Sequence, residues 1–167
     1  MQRTTWLASI AILLGLAGSI GSAAAQQPTP PQGSAAESGL VTVGRPHTAT
    51  ETIERFEAAV RTKKWTVFTR IDHAATAEAA RLQLRPRTVI IFGNPKAGTP
   101  AMRTNPTLAI DLPMKALVWQ DDAGKVWLTT NAAEFVAGKV YGRLGLGAEA
   151  TQDQAKLLTD TSRQATQ

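Results

Sequence analysis

The alternation of apolar and polar positions cuts the chain into short segments, each ended by glycine, proline or a cluster of charge. Leu40-Val41-Thr42-Val43, β-branched and bounded by Gly39 and Gly44, predicts a first strand. Pro46 closes it. Thr48 with Glu51 three residues later makes a capping-box pattern, and Ile53, Phe56 and Val60 recur at helical spacing, so an amphipathic helix should run to about Lys63. Trp65, Val67 and Phe68, continuing into Arg70-Ile71-Asp72, predict a second strand. It is entered almost without a linker, at a joint where glycine is usual and Lys64 stands. The Ala-rich stretch 73–84, with Asp72 as its cap, favours a helix across the sheet edge. Residues 87–92 form a continuous β-branched and apolar run, the strongest strand of the chain and one expected at the centre of a sheet. Gly93-Asn94-Pro95 stops it abruptly.

Across 96–113 the prolines at 100, 106 and 113 restrict the connection to short helical turns. A connection of that length in a small domain is usually functional. Met114–Gln120 and residues 125–130 predict two further strands, joined by an Asp121-Asp122-Ala123-Gly124 hairpin with glycine where positive φ is needed. Residues 132–141 read as helix, 142–147 as a glycine-rich hinge, and 148–161 as a mostly polar helix anchored only by Leu157 and Leu158. The expected fold is α+β: a single antiparallel sheet of four or five strands in β-α-β(4)-α order, helices mainly on one face, plus a C-terminal helix. No glycine-rich phosphate loop follows the first strand, which disfavours dinucleotide and nucleoside-triphosphate folds.

The N-terminus changes the picture of where this domain works. Residues 1–25 carry a basic Arg3, an apolar run from Trp6 to Ile20 and a small-residue Ala23-Ala24-Ala25 end, the pattern of a cleaved signal peptide. That run is shorter than the roughly 20 apolar residues of a spanning helix. No cysteine is available for lipid attachment. The mature chain is therefore expected in the periplasm, with no stable membrane insertion after cleavage. Residues 26–38, rich in Gln, Pro, Gly, Ser and Ala, read as a flexible leader, 39–141 as one domain, and 142–167 as a hinge with a loosely docked helix. The lack of cysteine removes disulfides, thiolate metal sites, iron–sulfur clusters and thiol catalysis. Net charge is +5, and +4 once Arg3 leaves with the signal peptide. Basic residues flank element ends rather than forming a stripe, so nucleic acid is not an expected partner.

Polar or backbone-distorting residues cluster where apolar segments stop, which is where loops on a rigid sheet build pockets. The strings are Arg70-Ile71-Asp72-His73, Phe92-Gly93-Asn94-Pro95, Gly98-Thr99-Pro100 and Asp111-Leu112-Pro113. With the following Leu117-Val118-Trp119, they resemble the DUF302 family over roughly residues 40–135. The resemblance implies a small domain of the order given above, often exported in bacteria and forming dimers, with no activity assigned. Three positions depart from the family pattern. Lys64 and Arg81 stand where glycines are expected, and Thr130 replaces an aromatic residue at the end of the last strand.

The candidate ligand-binding residues are Arg70, Asp72, His73, Asn94, Thr99 and Asp111, around a pocket expected between the Asp72-His73 junction and the 94–113 connection. A carboxylate beside an imidazole can fix its tautomer or raise its basicity. A second reading is accordingly a hydrolase or lyase with His73 as general base and Asp72 or Asp111 assisting. A third makes the motifs purely architectural, fixing a dimeric sheet. Each residue also has a structural use: His73 pinning the strand–helix junction, Asp111 and Asn94 forming Asx turns before proline. If Ile71 faces the helix-covered core, Arg70 and Asp72 share the open sheet face. One signature histidine without cysteine falls short of the ligand set of a structural metal site, and no cofactor is expected.

Overall fold

The computed structural model describes residues 38–136 together with Gly138, Gly142 and Asp160. The signal segment, most of the leader and the polar helix expected near the C-terminus lie outside the described residues. Five strands, β1 (Leu40–Arg45), β2 (Thr66–Asp72), β3 (Arg87–Gly93), β4 (Met114–Gln120) and β5 (Val126–Asn131), form one sheet in the order β1-β5-β4-β3-β2, every pair antiparallel. β3 is interior, but β4 rather than β3 occupies the middle. The sheet is closed on both sides by strands that enter and leave the first helix.

That helix, α1 (Ala49–Thr62), begins as the spacing requires: the Thr48 hydroxyl accepts from the Glu51 N–H, and the Glu51 carboxylate accepts from the Thr48 N–H. Its apolar stripe, Ile53, Phe56 and Val60, packs on Ile90, Phe92, Ala116, Val118, Val126 and Leu128. Phe56 meets Phe92 edge to face at 5.2 Å. Among the described residues this is the hydrophobic core. The alternate residues of the same strands, including Val89, Leu117, Trp119, Trp127 and Thr129, lie on the opposite face. There Trp119 and Trp127 stack at 6.0 Å, and Trp119 donates to Thr129, whose hydroxyl pairs with that of Thr42.

Three remaining helical segments sit at the ends of the sheet: α2 (His73–Ala79), α3 (Pro95–Thr104) and α4 (Ala133–Phe135), with a 3₁₀ turn at Pro106–Ile110. α2 stops five residues short of the expected end. α3 is a ten-residue helix where the prolines argued for short turns only. Its start is strong, with Asn94 as N-cap and Pro95 in the first helical position. Pro100 forfeits only one intrahelical N–H bond, and the helix continues past it. Among the described residues no helix is long and apolar enough to cross a membrane.

β2 contains a bulge between Val67 and Thr69, with Phe68 as the extra residue. Beyond it the parity of the strand inverts. Arg70 lies opposite Ile90 and Asp72 opposite Thr88, on the helix-covered side, while Ile71 lies opposite Val89 on the open side. Arg70 and Asp72 do share a face, but the condition for placing them on the open one is not met: the residue inserted before them turns Ile71 away from α1 and sets the pair on the helix-covered side.

Candidate functional site

The pocket of this protein lies where β3 ends and α3 begins. Gly93, Asn94 and Pro95 form its floor; Gly98, Thr99 and Met102 of α3 one wall; Leu112, Pro113 and Met114, entering β4, another; and Trp65 with Phe68 the third. It is a cleft open to solvent on one side, with a volume of about 320 Å³. Its position follows from local chemistry. The Asn94 side chain accepts from the Lys96 N–H at 3.0 Å and turns the chain from strand into helix. A side chain at Gly93 would meet Phe68 at 3.4 Å and Pro113 at 3.5 Å, ordinary contact, which shows how closely these two residues border the strand end. Trp65 is held from below by Phe92, 6.4 Å between rings. None of the lining residues is ionisable. The polar side chains offered to a ligand are the Asn94 amide and the Thr99 hydroxyl.

Asn94 and Thr99 are thus brought together, and the other four candidates lie elsewhere. The structure does not form the single expected pocket between the Asp72-His73 junction and the 94–113 connection. Thr66 pairs with Gly93 at the pocket end of β2, whereas Asp72 pairs with Thr88 at the other. Five residues of β3 separate those pairings, roughly 16 Å at the rise of a strand. Asp72 is consumed as the N-cap of α2, its carboxylate accepting from the Ala74 and Ala75 N–H groups at 2.9 and 3.1 Å. His73 is exposed beside it. Asp111 ends the 3₁₀ turn next to the lining residue Leu112, its N–H donating to the Leu108 carbonyl at 3.1 Å. His73 and Asp111 therefore sit at opposite ends of the sheet, and no acid–base pair is assembled from them.

Arg70 has a different occupation. Its Nε donates to the carboxylate of Glu57, a residue of α1 whose side chain is 4% exposed and which also accepts from Arg61 at 2.7 Å. The Arg70 hydrogen bond, then that of Arg61, holds the Glu57 carboxyl below the usual range against the opposing effect of burial. The same bond raises Arg70. This cluster ties edge strand β2 to α1. His47, in the loop before α1, is half-buried, and its Nε2 makes no hydrogen bond with a described residue.

Sequence reasoning missed the apolar majority of the pocket, namely Trp65, Phe68, Met102, Leu112 and Met114. The readable signal was that large apolar residues stand at element ends beside the polar strings, where a core stripe has no place for them. Among the described residues no group of three or more His, Asp or Glu side chains is close enough to hold a metal.

A family model described as "Domain of unknown function DUF302" matches residues 41–161. The chain is 45% identical over 128 residues to the "Fluoride-specific ion channel FluC 1" of Brucella suis biovar 1, covering 77% of this chain and 50% of that protein. It is also 45% identical to the "Fluoride-specific ion channel FluC 2" of Brucella melitensis biotype 1, covering 47% of it. The chain spans about half the length of these curated relatives. A crystal structure described as an uncharacterized conserved protein DUF302 from Bacillus stearothermophilus superposes with a TM-score of 0.67 at 20% identity, over 76% of this chain and 98% of that one. This last likeness is one of fold.

Proposed function

Starting from a chain that belongs to the DUF302 family, we propose that it is an exported, non-catalytic domain that binds a small organic ligand under α3. The observation that carries this reading is the cavity of about 320 Å³ lined by Trp65, Phe68, Met102, Leu112 and Met114, with Asn94 and Thr99 as its polar side chains. A mostly apolar hollow with a few convergent polar groups is the usual form of a small-molecule site. Neither polar group is a nucleophile activated by a neighbouring base, which favours binding over turnover. Export is supported by the Arg3, apolar-run and Ala23-Ala24-Ala25 pattern of residues 1–25.

Gly98→Leu tests the site. A side chain at Gly98 would meet Leu112 and Met102 at 3.6 and 3.9 Å, ordinary contact, so the longer residue enters the pocket without forcing the backbone. The neutral probe N-phenyl-1-naphthylamine should bind the wild-type protein and quench or enhance Trp65 emission. It should not bind Gly98→Leu, whose melting temperature is unchanged or higher. Wild-type protein that fails to take up the probe and carries no excess native mass after purification from its own compartment would overturn the reading.

A second reading rests on the relatives. In proteins named as fluoride-specific ion channels, a sequence of this kind makes up about half the length. On this reading the domain works beside a membrane channel. Deleting the gene should then sensitise cells to fluoride, and unchanged fluoride tolerance would remove the case for it.

A further inference from the structure

The hydrogen-bond donors left over around the cleft decide what it can take, and we infer that its ligand is an uncharged aromatic carbonyl compound whose oxygen is received by the Asn94 amide N–H groups. The inference rests on the cleft being a ligand site and names the chemistry of what fills it. Asn94 offers those donors because its orientation is fixed. Its side-chain oxygen already accepts from the Lys96 N–H at 3.0 Å, and a flipped amide would set N–H against N–H. The amide nitrogen makes no hydrogen bond with another described residue. A second donor is the indole N–H of Trp65. Trp119 and Trp127 give theirs to Thr129 and Asp121, whereas that of Trp65 bonds to no described residue. Thr99, exposed on α3, can donate or accept and leaves the balance unchanged. Donors therefore outnumber acceptors among the lining side chains, and the ligand has to bring the acceptor.

Charge and shape follow from the same residues. None of the lining side chains is ionisable, so a charged group in the cleft would lack a counter-charge, and burying it there is costly. The start of α3 does not supply the backbone donors that usually receive an anion at a helix N-terminus. Pro95 has no N–H, that of Lys96 is held by the Asn94 side chain, and those of Ala97 and Gly98 go to the Asn94 carbonyl at 3.1 and 2.9 Å. An acceptor without charge is what remains. The walls suit an aromatic body. Trp65 and Phe68 present ring faces and edges, and Met102 and Met114, the two methionines that follow Met1, add polarizable sulfur that packs favourably on aromatic rings.

The test displaces N-phenyl-1-naphthylamine with benzophenone and three relatives: diphenylmethane, which lacks the carbonyl, dicyclohexyl ketone, which lacks the aromatic rings, and 4-benzoylbenzoate, which adds a carboxylate. Wild-type protein should bind benzophenone about tenfold more tightly than diphenylmethane, about threefold more tightly than dicyclohexyl ketone and roughly tenfold or more above 4-benzoylbenzoate. Asn94→Asp keeps an oxygen for the Lys96 N–H, so α3 retains its cap and the melting temperature holds or rises. It also sets an acceptor where the donor stood, and the ratio of benzophenone to diphenylmethane affinity should fall to about one or below. A ratio unchanged in Asn94→Asp, as a capping role alone would give, overturns the inference and leaves the pocket reading standing. So does wild-type protein that binds any of the three relatives as tightly as benzophenone. Absence of binding by the probe and by all four compounds overturns both. Binding that survives Gly98→Leu also overturns both, because it places the ligand outside this cleft; Met102→Trp gives the same readout should Gly98→Leu fail to fold.

Discussion

Replacing Arg81 or Lys64 by glycine should stabilise the protein although each change deletes a side chain. Both residues lie in the left-handed region, Lys64 at φ 60° and Arg81 at φ 61°. Each stands just past a helix in the same hydrogen-bonded turn. Lys64 donates to Arg61 and Trp65 to Val60 after α1, while Arg81 donates to Glu78 and Leu82 to Ala77 after α2. That pair of bonds is the Schellman closure, which glycine ordinarily serves. Left-handed backbone costs a residue with a Cβ about 1–2 kcal/mol. Against this, glycine's freedom in the unfolded chain costs about 0.5–1 kcal/mol, and losing a cation near a helix C-terminus costs about 0.3 kcal/mol.

The expected net gain is about 0.5 kcal/mol at each site relative to wild type, and glycine should exceed alanine by about 0.5–1 kcal/mol, since alanine retains the strain. In a domain of this size 1 kcal/mol moves the melting temperature by about 4–8 °C, so glycine should melt about 3–6 °C above alanine at each position, with asparagine between. The two sites lie at opposite ends of the sheet and their effects should add. Thermal and urea melts of the glycine, asparagine and alanine variants at both positions supply the measurement. Glycine variants no more stable than their alanine counterparts would refute the argument.

Glu57→Gln should cost about 1–2 kcal/mol, because two arginines lose a charged acceptor while remaining partly exposed to water. The folded-state pKa of Glu57 is depressed, so its contribution is fully present above its unfolded value of about 4.3 and disappears as pH falls through the lower folded value. Wild type and variant should thus converge in acid, and a gap that persists undiminished at about pH 2 in denaturant melts would contradict this. Asp72→Ala should cost about 1 kcal/mol through loss of the α2 cap. His73→Ala should change stability by less than about 0.5 kcal/mol and leave probe binding intact; loss of the probe in His73→Ala would contradict the placement of the pocket.

Much of the fold was legible because its signals are local. Thr48 and Glu51 form their capping box, Asp121 to Gly124 their hairpin, and the strands begin within a residue or two of where β-branched runs begin. Asp72 was legible as a cap for the same reason. The unusual residues at 64 and 81 mark the two left-handed positions that glycine would have filled. α3 was obscured because proline's cost was weighed without the strength of the Asn94-Pro95 start. The candidate site was legible only in half. Asn94 and Thr99 belong to one continuous segment and share the pocket, whereas the link from that segment to Asp72 and His73 required a register that residue types alone do not specify.

By itself the sequence determined the classes of element, their order, the caps and turns, the exclusion of thiol chemistry, and membership of a family. Each of these depends on residues within a few positions of one another or on simple counts. Tertiary structure alone decided which strand ends meet. Antiparallel pairing of β2 with β3 sends the Asp72-His73 junction to one end of the sheet and Asn94 to the other, and the bulge at Phe68 turns Arg70 toward Glu57. The pocket is likewise a product of distance in the chain brought to contact, with Trp65, Met102 and Leu112 converging on one strand end. Long-range register is a cooperative property of the whole packed sheet, which is why no local pattern announces it.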